Sequence, residues 1–189
     1  MRIIRFHRSV LPFIASFAGL ILTSIAVDLT LYSLNISHLK RWAGPIGVLL
    51  LLLAFGYSLR RRRLISQGSV PRWLRSHEFF SWAGTLAIMV HAGLKINAFL
   101  PWAAILAMLF STASGLTGTY ILQSAKKRFK KNHKQLKSSD ADDEEIEAHL
   151  IDGSLKVQAL SGWRQRHIPV TFTFFFLSLM HIGSILFLW

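Results

Sequence analysis

The chain has 189 residues, with 22 lysines and arginines against 9 aspartates and glutamates, and 52% of its residues are hydrophobic. A positive mean hydropathy of +0.40 beside a formal charge of +13 is unusual for a soluble protein. The absence of cysteine excludes disulfides, thiol catalysis, cysteine-ligated iron–sulfur clusters and covalently attached c-type haem. The basic residues occur in blocks between long apolar runs, which indicates a membrane protein and argues against nucleic-acid binding.

Five apolar stretches are long enough, or nearly so, to cross a bilayer as helices that rise about 1.5 Å per residue. They cover residues 10–31, 42–59, 77–94, 99–122 and 168–189. The first resembles a signal peptide, but we interpret it as a retained transmembrane helix. The long polar segment 123–166 is predicted to be a cytoplasmic loop. The sequence therefore predicts a single all-α membrane domain over residues 1–189, with a four-helix bundle and one extra N-terminal helix.

The distribution of basic residues predicts the orientation of these helices. With the N-terminus inside, the cytoplasmic side carries three arginines before the first stretch, six between Arg60 and Arg75, and ten basic residues between Lys126 and Arg166. The other side carries three, Lys40, Arg41 and Lys95. This positive-inside bias predicts a multi-pass protein of the cell inner membrane, with a cytoplasmic N-terminus and a periplasmic C-terminus. It also explains the net charge without a nucleic-acid partner.

Four histidines have a matched spacing. His91 and His181 lie inside apolar stretches, and each follows another histidine, His77 or His167, by 14 residues. Fourteen residues of helix return to within about 40° of the starting direction, about 21 Å along the axis. Because one stretch separates the two helices, they are predicted to run parallel. His77 and His167 then share the cytoplasmic level, and His91 and His181 share the outer level.

One imidazole from each of two helices is the ligand set of a bis-histidine haem, so the spacing predicts two b-type haems. A lone intramembrane histidine can instead bond to a neighbouring helix, and zinc would gather three or four ligands in one cluster. Arg75 and Arg166 are predicted to bind haem propionates. Gly84 and Gly118 are predicted to let a macrocycle approach the backbone, although ordinary helix packing explains these glycines equally well.

The pattern resembles the dihaem membrane b-type cytochromes, a group that includes cytochrome b of the quinol:cytochrome c oxidoreductases, respiratory cytochrome b subunits and ferric-reductase transmembrane domains. The resemblance covers residues 42–189; besides the histidine pairs it involves segments 114–120 and 163–169. It implies a subunit of a respiratory oxidoreductase complex whose partners are multihaem c-type cytochromes or iron–sulfur proteins, with quinone in the membrane. The chain lacks the Pro-Glu-Trp-type quinol motif and the flavin and nicotinamide domain of those families. The resemblance therefore does not imply that the chain has their catalytic activity.

Two functions follow from this interpretation. The first is a transmembrane electron conduit, because bis-histidine iron has no open coordination position for substrate chemistry. The alternative is a quinol dehydrogenase or quinone reductase subunit with its own quinone site, which needs a proton acceptor near a haem. Glu78, Asp28 and the outer-loop His38 are the candidates. A non-redox anchor or transporter subunit is a third class, and it gives no reason for the matched histidines.

Overall fold

A computed structural model describes residues 2–93, 98–125, 127, 129–131, 158 and 162–188. The regular elements of this part of the chain are all helical. They are α1 (Arg2–Ser33), a 3₁₀ helix (Ser37–Leu39), α2 (Lys40–Ala54), α3 (Gly56–Arg61), α4 (Val70–Ala92), α5 (Phe99–Leu116), a π-helical segment (Thr117–Leu122) and α6 (Trp163–Leu188). Residues 94–97 and most of the predicted loop 123–166 lie outside the described residues.

Among the described residues, four helices are long and apolar enough to cross a membrane: Val10–Ser33, Ser37–Arg61, Phe99–Lys131 and Gln165–Phe187. They correspond to the first, second, fourth and fifth predicted stretches. Large apolar side chains point outward from them, among them Leu22 at 65% exposure, Phe110 at 69% and Phe187 at 89%. Such a surface needs apolar surroundings, so the fold is that of an all-α membrane protein.

The third predicted stretch is a helix, but it falls short of the hydropathy of a membrane span. Helix α4 starts at Val70, well before the predicted residue 77, because the extended Ser69 and Pro71 in the first turn favour a helix start there. The added turns carry Arg72 and Arg75, and Glu78 follows within the predicted stretch; these charged residues lower the mean hydropathy of α4. The described chain thus has four candidate spans besides α4, where the sequence predicted five.

Helix α6 likewise begins ahead of its predicted start, at Trp163 instead of residue 168. Pro169 consequently lies inside the helix, where its missing N–H removes one backbone hydrogen bond near the N-terminal end. The earlier start brings Trp163 and His167 onto the first two turns of the same helix.

Helices α2 and α4 form the closest pair in the bundle, and glycines make their approach possible. A Cβ on Gly47 would lie 2.6 Å from Cγ1 of Ile88, and a Cβ on Gly84 would lie 2.8 Å from Cγ of Leu51. Neither position therefore accepts a side chain without separating the helices. Small residues at such contacts let the backbones come together and gain dispersion energy.

Helix α5 lies between α4 and α6 and contacts both. The hydroxyls of Ser111 and Thr171 lie 2.7 Å apart between α5 and α6, and those of Thr85 and Thr112 lie 3.1 Å apart between α4 and α5. Helix α1 packs against α4, α5 and the π-helical segment. Backbone packing directly between α4 and α6 is at most marginal among the described residues, so the two histidine-bearing helices are held by α5 and not by each other.

Candidate functional site

His77 lies where α2 ends. Its Nδ1 is 2.9 Å from the carbonyl oxygen of Ala54, and its ring lies 5.5 Å from that of Tyr57 on α3. The helix break at Phe55 makes this contact possible, because the Ser58 N–H donates to the Phe55 carbonyl at 2.8 Å. The Ala54 carbonyl is then available to the imidazole. Since a carbonyl only accepts, Nδ1 of His77 carries a proton in this contact, and Nε2 is the ring nitrogen that the contact does not use.

His91 repeats this arrangement at the other end of α2. Its Nδ1 is 3.0 Å from the carbonyl oxygen of Lys40, the first residue of α2, which fixes the same tautomer. The ring lies directly against Gly44, where an added Cβ would be 2.9 Å from Nδ1. Both histidines of α4 are therefore oriented by the two ends of α2, and in each case the contact leaves Nε2 unused.

The α6 histidines are His167, in the second turn of the helix, and His181, near its C-terminal end. The ring of His167 is 5.2 Å from the ring of Trp163, and a Cβ on Gly115 of α5 would be 3.8 Å from its Cε1. His181 and His91 interact electrostatically.

At the inner level, α5 links the two histidine-bearing helices. Glu78, next to His77, accepts a hydrogen bond of 2.8 Å from the hydroxyl of Thr119 in the π-helical segment. Gly115, one turn earlier, faces His167. Glu78 and His167 therefore both lie near residues 115–119, where α5 meets the π-helical segment, and π-helical turns are frequent at functional sites.

A neutral imidazole with Nδ1–H on a carbonyl is the usual state of a metal-ligating histidine, because the outer hydrogen bond fixes the ring and raises the basicity of Nε2. In the described part of the chain, no group of three or more His, Cys, Asp or Glu side chains could hold a metal ion. Zinc held by protein ligands alone needs three or four such groups. The described helices carry two of the predicted imidazoles on α4 and two on α6, a donor set that fits a group held by two imidazoles.

The two glycines and two arginines that the sequence predicted to support a cofactor have different surroundings. Gly84 faces Leu51 and Gly47 of α2, and an added Cβ on Gly118 would be 2.3 Å from Cζ2 of Trp163. Both glycines therefore serve close helix packing in this structure. Arg75 and Arg166 are exposed near the N-terminal ends of α4 and α6. They remain available for anionic groups at that level.

The acidic candidates are both bonded inside the bundle. Glu78 accepts a hydrogen bond from Thr119, a contact between helices. Asp28 is 8% exposed and forms an ion pair with Lys40. His38, the third candidate, is exposed in the 3₁₀ helix.

A cavity of about 130 Å³ lies beside Asp28, between α1, α4 and α5. Its walls are largely apolar, with Asp28 and the hydroxyl of Ser24 as polar groups. The lining residues are Ile21, Ser24, Ile25, Asp28, Met89, Ala92, Gly93, Trp102, Ile105 and Leu109. It adjoins the last turn of α4, the turn that carries His91.

Comparison with protein-family models, with curated proteins and with solved structures finds no match. The orienting carbonyls of Ala54 and Lys40 were not foreseen from the sequence, since a backbone carbonyl has no residue-type signature. For the Ala54 carbonyl, the signal available in the sequence was Gly56 within an apolar run, which is compatible with a helix break.

Proposed function

We propose that the chain is a dihaem b-type cytochrome subunit that carries electrons across a membrane. The observation that carries the proposal is the shared state of His77 and His91, each with Nδ1–H on a backbone carbonyl of α2 and Nε2 left to ligate. The same 14-residue spacing recurs on α6 at His167 and His181. If the spacing had arisen by chance, two imidazoles on one helix would not be expected to have the same orienting contact.

In this proposal His77 and His167 hold an inner haem, and His91 and His181 hold an outer one. Bound haem would supply a one-electron redox couple, and an iron held by two imidazoles would have no coordination position for a substrate. The α2 carbonyls orient the α4 ligands, while α5 holds α4 and α6 apart through the hydroxyl contacts. Arg75 and Arg166 bind the inner propionates.

The proposal includes a fifth crossing, by α4, and an inner-membrane location with the N-terminus in the cytoplasm and the C-terminus in the periplasm. Intimate packing of α4 along α2 supports the crossing, since α2 lies in a candidate span. The electron donors and acceptors are a quinone pool or a cytoplasmic-side partner on one side, and a multihaem c-type cytochrome or iron–sulfur protein on the other.

Single alanine variants of the four histidines test this proposal. The purified wild-type chain is expected to show a dithionite-reduced minus oxidised spectrum of b type with two haems per chain. His91→Ala should lose one haem and keep the other, whereas His38→Ala, which removes an exposed histidine, should retain both. If all four variants kept two haems with unchanged spectra, the ligand assignment would be wrong. A wild-type chain that takes up no haem would exclude the proposed function.

A quinol dehydrogenase or quinone reductase is a second candidate, favoured by the cavity at Asp28. The apolar lining with one carboxylate suits the ring of a quinol whose hydroxyl donates to Asp28. Saturable quinol oxidation by the purified chain, lost in the cavity-filling Ser24→Leu but kept in Leu22→Phe on the exposed face of α1, would support it. Absence of turnover until a partner protein is added favours the conduit.

A further inference from the structure

Lys40 takes part in two contacts that connect separate helices. Its main-chain carbonyl is 3.0 Å from Nδ1 of His91, which joins the start of α2 to the end of α4. Its ammonium forms an ion pair with Asp28 of α1. The orientation of His91 is therefore linked, through a single residue, to a carboxylate on the N-terminal helix.

The ion pair is well shielded from solvent, so the loss of one partner is expected to cost more free energy than at the surface. The side chains of Lys40 and Asp28 are 22% and 12% exposed. Gly93, which ends α4 with a φ of 61°, turns beside the pair, where an added Cβ would be 3.4 Å from Oδ1 of Asp28. Removing one partner of a shielded pair leaves an uncompensated charge, which is far more costly than removing a surface pair.

The ring of His91 has little freedom on its other side. Gly44, one helical turn after Lys40, lies against the imidazole, and the Lys40 carbonyl fixes the position of Nδ1. Movement of the first turn of α2 would therefore carry the imidazole with it. The ion pair is the polar contact that ties this turn to α1.

We propose that Asp28 and Lys40 form a positioning pair that holds His91 in its ligating orientation and sets the redox potential of the outer haem. This inference rests on the proposed function in one respect, since the potential requires a bound haem. Asp28 is here a positioning residue acting through Lys40. Helix α1, which lies outside the region of resemblance, thereby becomes part of the outer site.

The two single variants are expected to move the outer potential in opposite directions. Asp28→Asn leaves the ammonium of Lys40 without its counter-charge, and a nearby positive charge favours the reduced iron, so the outer midpoint potential should rise. Lys40→Met leaves the carboxylate instead, so that potential should fall. The inner haem, at about 21 Å along the axis, should be unchanged and serves as an internal reference.

A redox titration of the haem-loaded chain, with low-spin electron paramagnetic resonance spectra of both haems, makes the measurement. Ser24→Ala is the matched control, because it removes a polar group one turn from Asp28 on α1 without changing any charge. The double variant Asp28→Asn/Lys40→Met removes both charges and should fold even where a single variant does not. In this double variant the midpoint potential of the outer haem should return toward the wild-type value. The electron paramagnetic resonance signal of the outer haem should broaden, because the orientation of the imidazole becomes less uniform.

Equal shifts at both haems, or no shift in either single variant, would overturn the inference. A haem-independent readout separates this failure from failure of the proposed function. In the haem-free chain, the ¹⁵N chemical shifts of the His91 ring should report Nδ1–H as the main tautomer, and Asp28→Asn should lower its fraction. An unchanged tautomer ratio in that variant would equally overturn the inference, whether or not the wild-type chain binds haem.

Discussion

At the scale of single residues, the state of a histidine depends on what its second ring nitrogen contacts. His77 and His91 each face a carbonyl oxygen, so Nδ1 is the donor in both contacts. Their types and spacing are readable in the sequence. The contact that orients them is made by main-chain atoms of α2, and these are placed by the packing of α2 on α4.

Gly44 gives the sharpest prediction at this scale. Gly44→Val should push the His91 ring away from the Lys40 carbonyl, because the added Cβ would meet the ring at 2.9–3.0 Å. We expect weakened binding of the outer haem and a loss of about 1–3 kcal/mol in the free energy of unfolding. Haem content and thermal unfolding in detergent measure the two effects.

Gly19→Val is the control for this variant, since an added Cβ at Gly19 has no atom within 4 Å. Both changes place a β-branched residue in a helix, so the difference between them isolates the contact with His91. Equal haem content in the two variants would contradict the role given to Gly44.

At the scale of elements, interruptions of regular helix coincide with the histidine levels. The break at Phe55 gives His77 its carbonyl, and the π-helical segment Thr117–Leu122 brings Thr119 to Glu78. The sequence predicted continuous stretches at 42–59 and 99–122, because apolar composition does not show a change in backbone hydrogen bonding. Local geometry therefore contributes to the site as much as the choice of side chains.

Gly118 and Gly115, which lie on adjacent turns, allow a matched comparison. Gly118→Ala should lower the free energy of unfolding by about 1–3 kcal/mol, because the new methyl would overlap the Trp163 indole. Gly115→Ala should be neutral or slightly stabilising, since its nearest contact is 3.8 Å away and alanine favours helix. Thermal unfolding of both variants tests this, with Gly118→Ala/Trp163→Phe as the expected rescue. Unchanged stability of Gly118→Ala with an altered haem spectrum would favour a cofactor-binding role for Gly118.

At the scale of the whole molecule, the number of crossings decides on which sides of the membrane the termini lie. Four candidate spans alone would return the chain to its starting side, whereas a fifth crossing by α4 puts the termini on opposite sides. The low hydropathy of α4 comes from charged residues in its first turns, near the headgroups. Its remaining length packs along α2, which supports a crossing.

Reporter fusions at the two termini test this topology. We expect a C-terminal alkaline phosphatase fusion to be active and an N-terminal one to be inactive, because only the C-terminus lies outside when α4 crosses. A fusion after Arg63 should be inactive, and one after Ile36 should be active, which fixes the intermediate loops. An inactive C-terminal fusion would mean that α4 does not cross.

Composition and spacing alone determined that the protein is a helical membrane protein. Long apolar runs can form all their backbone hydrogen bonds in a bilayer only as helices or closed barrels. The sequence also singled out His77, His91, His167 and His181, whose periodicity follows from helix geometry. Tertiary structure decided which atoms face these rings: the Ala54 and Lys40 carbonyls, Gly44 and Trp163. It also paired Asp28 with Lys40, residues that the sequence had treated separately. The physical reason is that helical periodicity fixes directions within one helix, whereas contacts between helices depend on how closely the backbones approach, and glycine placement and helix breaks set that distance.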